Sequence, residues 1–204
     1  MINIAITQRI SSEYDGREIR ESLDVRWYEF MKSCGFFLIP ISVKHDILQF
    51  LQKMEISGIV LSGGNDLFSV SSEEVNKIRD TFEKKLLQEA IKANMPVIGV
   101  CHGMQQINNF FGGSLQSVKN HVAISHEIRG ENLRRSVNSF HNYAVKNIPE
   151  DFEADYVSFD GIIEAFHHKY KSIYAVMWHP EREKIFQLED IKLFQKIFEG
   201  KNEK

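Results

Sequence analysis

A chain of 204 residues that is 43% hydrophobic and 26% charged has enough apolar side chain for a substantial core, which excludes a disordered or fibrous protein. A formal net charge of −3 with no basic run leaves no electrostatic footprint for nucleic acid or a membrane surface, and no stretch of roughly 18 consecutive apolar residues marks a membrane span. Its two cysteines, Cys34 and Cys101, cannot make a secreted-type disulfide framework, and the N-terminus lacks the basic and apolar segments of a signal peptide, so a cytoplasmic protein is expected.

The chain opens on an alternating strand, Ile2–Thr7, followed by a polar loop through Ser11, Ser12 and Gly16. Leu23, Trp27, Phe30, Met31 and Cys34 fall at helical spacing, with Gly35 as the stop. Phe36–Ile41 reads as a strand, Asp46–Met54 as a short helix and Gly58–Leu61 as a third strand. Ser71 and Glu74 have the spacing of a capping box, opening a long helix with Val75, Ile78, Phe82, Leu86 and Ala90 on one face. Pro96 introduces a fourth strand. Strands alternating with helices predict a parallel α/β sheet covered on both faces. The second half is richer in strands: Ala123–Ile128, Leu133–Val137, Tyr143–Val145, Tyr156–Phe159, Ile162–His167 and Ile173–Trp178, before a final helix from about Leu188 to Phe198. Without repeats, low-complexity segments or Pro/Gly/Ser-rich linkers, one domain over residues 1–204 is expected.

The fourth strand ends in Gly99-Val100-Cys101-His102-Gly103-Met104-Gln105. An apolar run that turns abruptly into a helix exposes Cys101 at the sheet end and points a helix dipole at its thiol, the logic of a nucleophile elbow. Gln105 lies one helical turn further on. Alone, the pattern also fits a buried cysteine before a Gly-rich turn. A nucleophile needs a base, and a base needs an orienting group. Trp178-His179-Pro180-Glu181 supplies both, since residues two apart in an extended segment project to one side. Attack on an amide carbonyl also needs two backbone donors for the oxyanion. His102 N–H, just after the nucleophile, and Gly64 N–H, in Leu61-Ser62-Gly63-Gly64-Asn65-Asp66, are the candidates.

With the further segments Ile6-Thr7-Gln8-Arg9, Leu23-Asp24-x-Arg26-Trp27, Arg79-Asp80-x-x-Glu83, Val137-Asn138-Ser139-Phe140-His141 and the pairs Ile107-Asn108 and Gly112-Gly113, the chain resembles the class I glutamine amidotransferases over nearly its whole length. The finer similarity is to the γ-glutamyl-γ-aminobutyrate hydrolase branch. The resemblance implies a flavodoxin-like α/β fold, with a mostly parallel central sheet flanked by helices and a smaller added sheet. It implies a Cys101, His179, Glu181 triad that hydrolyses a γ-glutamyl amide through a thioester. Gln105, His141 and Asn142 would then hold the glutamyl α-amino and α-carboxylate groups, with Asp66 assisting. It also implies a small-molecule substrate and no cofactor, nucleic acid or membrane, with no synthase partner expected.

The leaving group implied by the resemblance is the CDP-amidate of γ-glutamyl-CDP-amidate, in synthesis of capsular phosphoramidate. The alternatives are γ-aminobutyrate, or ammonia channelled to a synthase. If the leaving group carries phosphate, Arg9 or Arg26 is expected to meet it; both also read as solvated or paired with Asp15 or Asp24. A related family of cysteine peptidases places its catalytic histidine directly after the cysteine, which would make His102 the base; the distant His-Pro-Glu would then have no role, so only the backbone of His102 is expected to act. His121, His126, His167 and His168 lie in strand-like sequence without zinc-ligand spacing, so no metal is expected.

Overall fold

The computed structural model describes residues 2–131 and 133–200. Strand β1 (Ile2–Ile6) leads into a hairpin of β2 (Arg9–Glu13) and β3 (Glu18–Ser22), then helix α1 (Arg26–Ser33), strand β4 (Phe36–Pro40), helix α2 (Ile47–Lys53) and strand β5 (Ile56–Leu61). Helix α3 (Glu74–Lys92), strand β6 (Val97–Val100) and helix α4 (His102–Phe110) follow. The second half contributes β7 (Ser114–Ser117), β8 (Val122–Arg129), β9 (Arg134–Phe140), β10 (Tyr143–Asn147), β11 (Phe152–Ser158), β12 (Ile163–His168) and β13 (Ile173–Val176). A short 3-10 turn, Pro180–Arg182, precedes helix α5 (Leu188–Glu199). No helix among the described residues is long and apolar enough to cross a membrane.

Strands β4-β1-β5-β6-β13 lie side by side and parallel. All four residues of β6 are buried, as a strand with neighbours on both edges and helices on its faces must be. From β13 the same sheet continues antiparallel through β12, β11, β8 and β9, with β10 paired to β12 and β7 paired to β10. The β2–β3 hairpin is a separate two-stranded sheet. Trp27 and Phe30 of α1 pack on Phe194 of α5, Phe30 edge-on at 4.9 Å, and residues of the parallel and antiparallel parts join one hydrophobic cluster.

Four local features differ from the sequence expectation. The polar loop after β1 is the hairpin: only Ile10 of β2 is fully buried, so the strand carries no apolar alternation, and its turn uses positive φ at Tyr14, Asp15 and Gly16. The capping box does not form. Glu73 is the extended N-cap residue of α3, while Ser71 O accepts from Glu73 N and from the Asn76 side chain. Strand β7 gives no pattern in the sequence because it is short and polar. The last parallel strand stops at Val176, so His179-Pro180-Glu181 lies beyond the sheet, with Pro180 and Glu181 in the 3-10 turn.

The elbow sits where β6 passes into α4. Cys101 takes φ 51° and ψ −103°, a conformation L-residues avoid, while its N–H closes the ladder to Val176 O at 2.8 Å. Gly103 permits that turn to dock: a Cβ there would lie 2.0 Å from Leu61 O and 2.7 Å from Leu61 Cβ of β5. Backbone cannot yield as a flexible side chain does. Gly103→Ala should therefore destabilise the fold by about 1–3 kcal/mol, read as a lowered Tm by calorimetry; an unchanged Tm would mean that β5 and α4 do not meet this closely.

Candidate active site

His179 leaves the end of β13, beside the strand that ends at Cys101. Its backbone is fixed by the Asn138 side chain of β9, which accepts from His179 N at 2.9 Å and donates to His179 O at 2.7 Å. Its ring is fixed by Glu181, whose Oε1 lies 2.7 Å from Nδ1 with both side chains buried. Phe140 packs edge-on against the ring at 5.9 Å. Gly63 makes room for it, since a Cβ at 63 would fall 2.4 Å from His179 Cε1. Burial disfavours charge on the imidazole, but Glu181 and Cys101 outweigh that and raise its pKa to about 9. The spacing that suggests the His179–Glu181 pair is that of an extended segment; the pairing occurs instead across the Pro180–Arg182 turn.

Beneath Gly63 and Gly64 lies a charge network whose members stand in the sequence as a motif without an evident role. Arg79 of α3 is fully buried. Its Nε donates to Glu83 Oε1 at 2.9 Å, its Nη2 to Ser62 O at 2.6 Å, and its Nη1 to Gly63 O at 3.1 Å and Asn65 Oδ1 at 3.2 Å. Glu83 also meets His102 Nε2 at 2.9 Å, and His102 Nδ1 lies 2.6 Å from Asn65 O. Burial alone would raise the Glu83 pKa, but Arg79 and His102 hold it down at about 2. Both ring nitrogens of His102 are thus engaged away from Cys101. The side chain, expected to have no part, anchors the loop. The signal for the network was present in the i,i+4 spacing of Arg79 and Glu83 on the buried face of a helix.

Two cavities open here, separated by Gly64 and Arg9, which line both. One, of about 300 Å³, is bounded by Cys101, His102, Gln105, Asp66, His141 and Asn142; the other, of about 350 Å³, by Trp27, Ser62, His179, Glu181 and Arg182. Asn65 sets Arg9 at this junction by bonding Ile10 N and O, at 2.9 and 2.8 Å. Arg26 lines neither cavity; its Nη2 donates to Glu183 O at 2.6 Å. Gln105 Nε2 donates to Tyr143 O at 2.8 Å. His141 turns both nitrogens away from the thiol, Nδ1 toward Tyr143 O at 3.1 Å and Nε2 toward Glu164. His167 pairs with Asp155, and His168 packs among Phe111 and Phe152, whereas His121 and His126 converge with His141 on Glu164. Sequence reasoning missed Arg182, Arg79, Glu83 and Glu164.

The class I glutamine amidotransferase domain model matches residues 20–198. The chain is 35% identical over 181 residues to a γ-glutamyl-CDP-amidate hydrolase from Campylobacter jejuni, covering 88% of this chain and 90% of that protein. It is 32% identical to a glutamine-hydrolysing GMP synthase subunit from Methanococcus vannielii over 62% of this chain and 65% of that one. Among solved structures, a candidate GMP synthase subunit from Thermoplasma acidophilum superposes with a TM-score of 0.72 at 21% identity, over 98% of this chain and 93% of that one. An elbow cysteine beside a carboxylate-held histidine, on a flavodoxin-like sheet matched along almost all of its length, makes this chain a member of the class I glutamine amidotransferase family.

Proposed function

We propose that the protein hydrolyses γ-glutamyl amides through Cys101, His179 and Glu181, and that its substrate is γ-glutamyl-CDP-amidate. The observation that carries the reading is His179 held by Glu181 at 2.7 Å, its pKa raised by both Glu181 and Cys101, with Cys101 on a strained elbow beside a cavity. The extensive likeness to the Campylobacter hydrolase supports the substrate.

In this mechanism the Cys101 thiolate, paired with the His179 imidazolium, attacks the γ-carbonyl carbon. The oxyanion is met by the N–H groups of Gly64 and His102, the latter being the first residue of α4 and so without an intrahelical acceptor. As the C–N bond breaks, His179 gives its proton to the leaving nitrogen, and the glutamyl group stays on sulfur as a thioester. Water then loses a proton to His179 and attacks the thioester, releasing glutamate and restoring the thiolate. Gln105, with its amide nitrogen committed to Tyr143, offers Oε1 to the α-ammonium group. Asp66 assists there, Asn142 faces the α-carboxylate, and His141 contributes cavity wall. The enzyme acts on its own, without a synthase partner, in the cytoplasm.

Cys101→Ala and His179→Ala should each lower hydrolysis on the order of 10³-fold or more, because the two act as a unit, and Glu181→Gln should cost less. Acid-quenched Glu181→Gln enzyme should carry a glutamyl adduct on the Cys101 peptide by mass spectrometry. Full activity of His179→Ala would remove the base.

The raised pKa of His179 fixes the pH response. Stability from its charged pair is fully present below the ordinary histidine value and is lost as pH rises through about 9. The imidazolium that protonates the leaving nitrogen disappears over the same range, so kcat/KM should fall on an alkaline limb near 9. In Glu181→Gln that limb should move to lower pH; an unmoved limb would assign it to another group.

The leaving group is expected on the side of Arg9 and Arg182, whose guanidinium lies 4.8 Å over the Phe140 ring. Arg9→Ala should lose about 1.5–3 kcal/mol of transition-state binding, roughly 10- to 150-fold in kcat/KM, on γ-glutamyl-CDP-amidate and little on γ-glutamyl-γ-aminobutyrate. Arg26→Ala, which frees Glu183 O, should affect both substrates alike. Equal losses in Arg9→Ala would favour γ-aminobutyrate as the leaving group, and a preference of the wild type for glutamine would favour an ammonia-supplying subunit.

A further inference from the structure

We infer that His121, His141 and Glu164, with His126 as fourth donor, form a binding site for one divalent transition-metal ion of the zinc class, behind the wall of the Cys101 cavity. One potential ligand atom from each of His121, His141 and Glu164 lies within 4.8 Å of the others, and all three residues are buried. Around Glu164 Oε1 stand His121 Nδ1 at 3.7 Å, His141 Nε2 at 3.6 Å and His126 Nε2 at 3.5 Å. None of these atoms, nor Glu164 Oε2, has a hydrogen-bond partner among the described residues. Buried polar atoms normally find a partner, and the five that meet here are suited to a shared ion.

Hydrogen bonding does not account for the spacing. The buried histidine–carboxylate pairs of the active site, which are hydrogen-bonded, lie at 2.7 Å (His179–Glu181) and 2.9 Å (His102–Glu83). The cluster is wider by more than half an ångström. Donors bonded tetrahedrally at about 2.0–2.1 Å stand roughly 3.3–3.4 Å apart, close to the 3.5–3.7 Å from each histidine nitrogen to Glu164 Oε1, while the donor atoms of His121, His141 and Glu164 all lie within 4.8 Å of one another.

The ring tautomers point the same way. His141 Nδ1 faces the carbonyl of Tyr143 at 3.1 Å, an acceptor only, so Nδ1 carries the hydrogen and Nε2 presents a lone pair to Glu164. His121 Nε2 faces Asp160 Oδ2 at 3.0 Å, so its hydrogen lies there and Nδ1 presents a lone pair. In neutral rings these lone pairs face a carboxylate, so either a second ring proton or a metal ion must lie between them, and the 3.5–3.7 Å separations favour the ion. A carboxylate or carbonyl behind each imidazole is the outer arrangement that metal-ligating histidines use, and Ser158 Oγ in turn bonds Asp160. Three nitrogens and one oxygen suit zinc over magnesium or calcium. The ion would tie together the segment before β8, β8 itself, the β9–β10 loop and β12, and so brace the loop of Phe140, His141 and Asn142. The sequence expectation is of no metal; the proposed ion departs from it by giving His121 and His126, expected to be structural, a ligand role shared with His141 and Glu164.

The test is titration of the chelator-treated full-length protein with Zn²⁺ by calorimetry, and with Co²⁺ by visible absorption. One equivalent should bind per chain, with the d–d bands of a tetrahedral site, and should raise Tm. Cys101→Ala should bind as the wild type does, which separates this site from the thiol. Glu164→Gln and His121→Gln should lose the stoichiometric site. Asp160→Asn alters a half-exposed side chain and should fold normally while weakening binding by about 10- to 100-fold, so it decides the matter if the buried variants do not fold. Absence of a stoichiometric site in the wild type, equal binding in Asp160→Asn, or loss of binding in Cys101→Ala would overturn the inference.

Discussion

A guanidinium out of reach of water has to find a partner for every donor or cost the fold several kcal/mol, and Arg79 finds them in Glu83 and in the loop proposed to hold the oxyanion. Its fork fixes the carbonyls of Ser62 and Gly63, Glu83 balances its charge, and His102 ties the same carboxylate to the first residue of α4. Arg79 is therefore a positioning residue. The two backbone amides proposed for the oxyanion belong to segments, one after β5 and one after β6, that this network clamps together. A lysine would supply one point of charge where the loop presents several acceptors in a plane.

The groups proposed for the chemistry were readable where their pattern is local. Cys101 between two glycines, and a histidine two residues before a glutamate, are patterns that a few adjacent positions encode. Even there the warrant differed: His179 and Glu181 meet through a turn that Pro180 begins, and the side-by-side projection of extended residues is not what joins them. The alternation of strands and helices read correctly because buried parallel strands are continuous apolar runs. The β2–β3 hairpin did not, because its strands are polar and β2 is held from outside the segment by the Asn65 side chain on Ile10.

What escaped the sequence is what the sheet assembles from afar. His121, His126, His141 and Glu164 come from different strands and loops, and no interval among them matches a ligand motif, yet antiparallel pairing of β8, β9, β11 and β12 brings them to one point. Arg26 shows the reverse error. It stands near the right elements in sequence, but its guanidinium is spent on Glu183 O, holding the segment after the turn. Arg182 lines the cavity instead.

The neighbouring position of β6 and β13 has a consequence for synthesis. These strands pair directly, Val100 opposite Val176, although all of β7 to β12 lies between them in the chain. During translation Cys101 emerges long before His179, and β13 cannot take its place until β12, its other neighbour, is made. Until the last parallel strand is laid in, Cys101 therefore has neither His179 beside it nor its finished cavity. Completion of the sheet is thus what would assemble the proposed nucleophile with its base, late in synthesis, after most of the chain has been made.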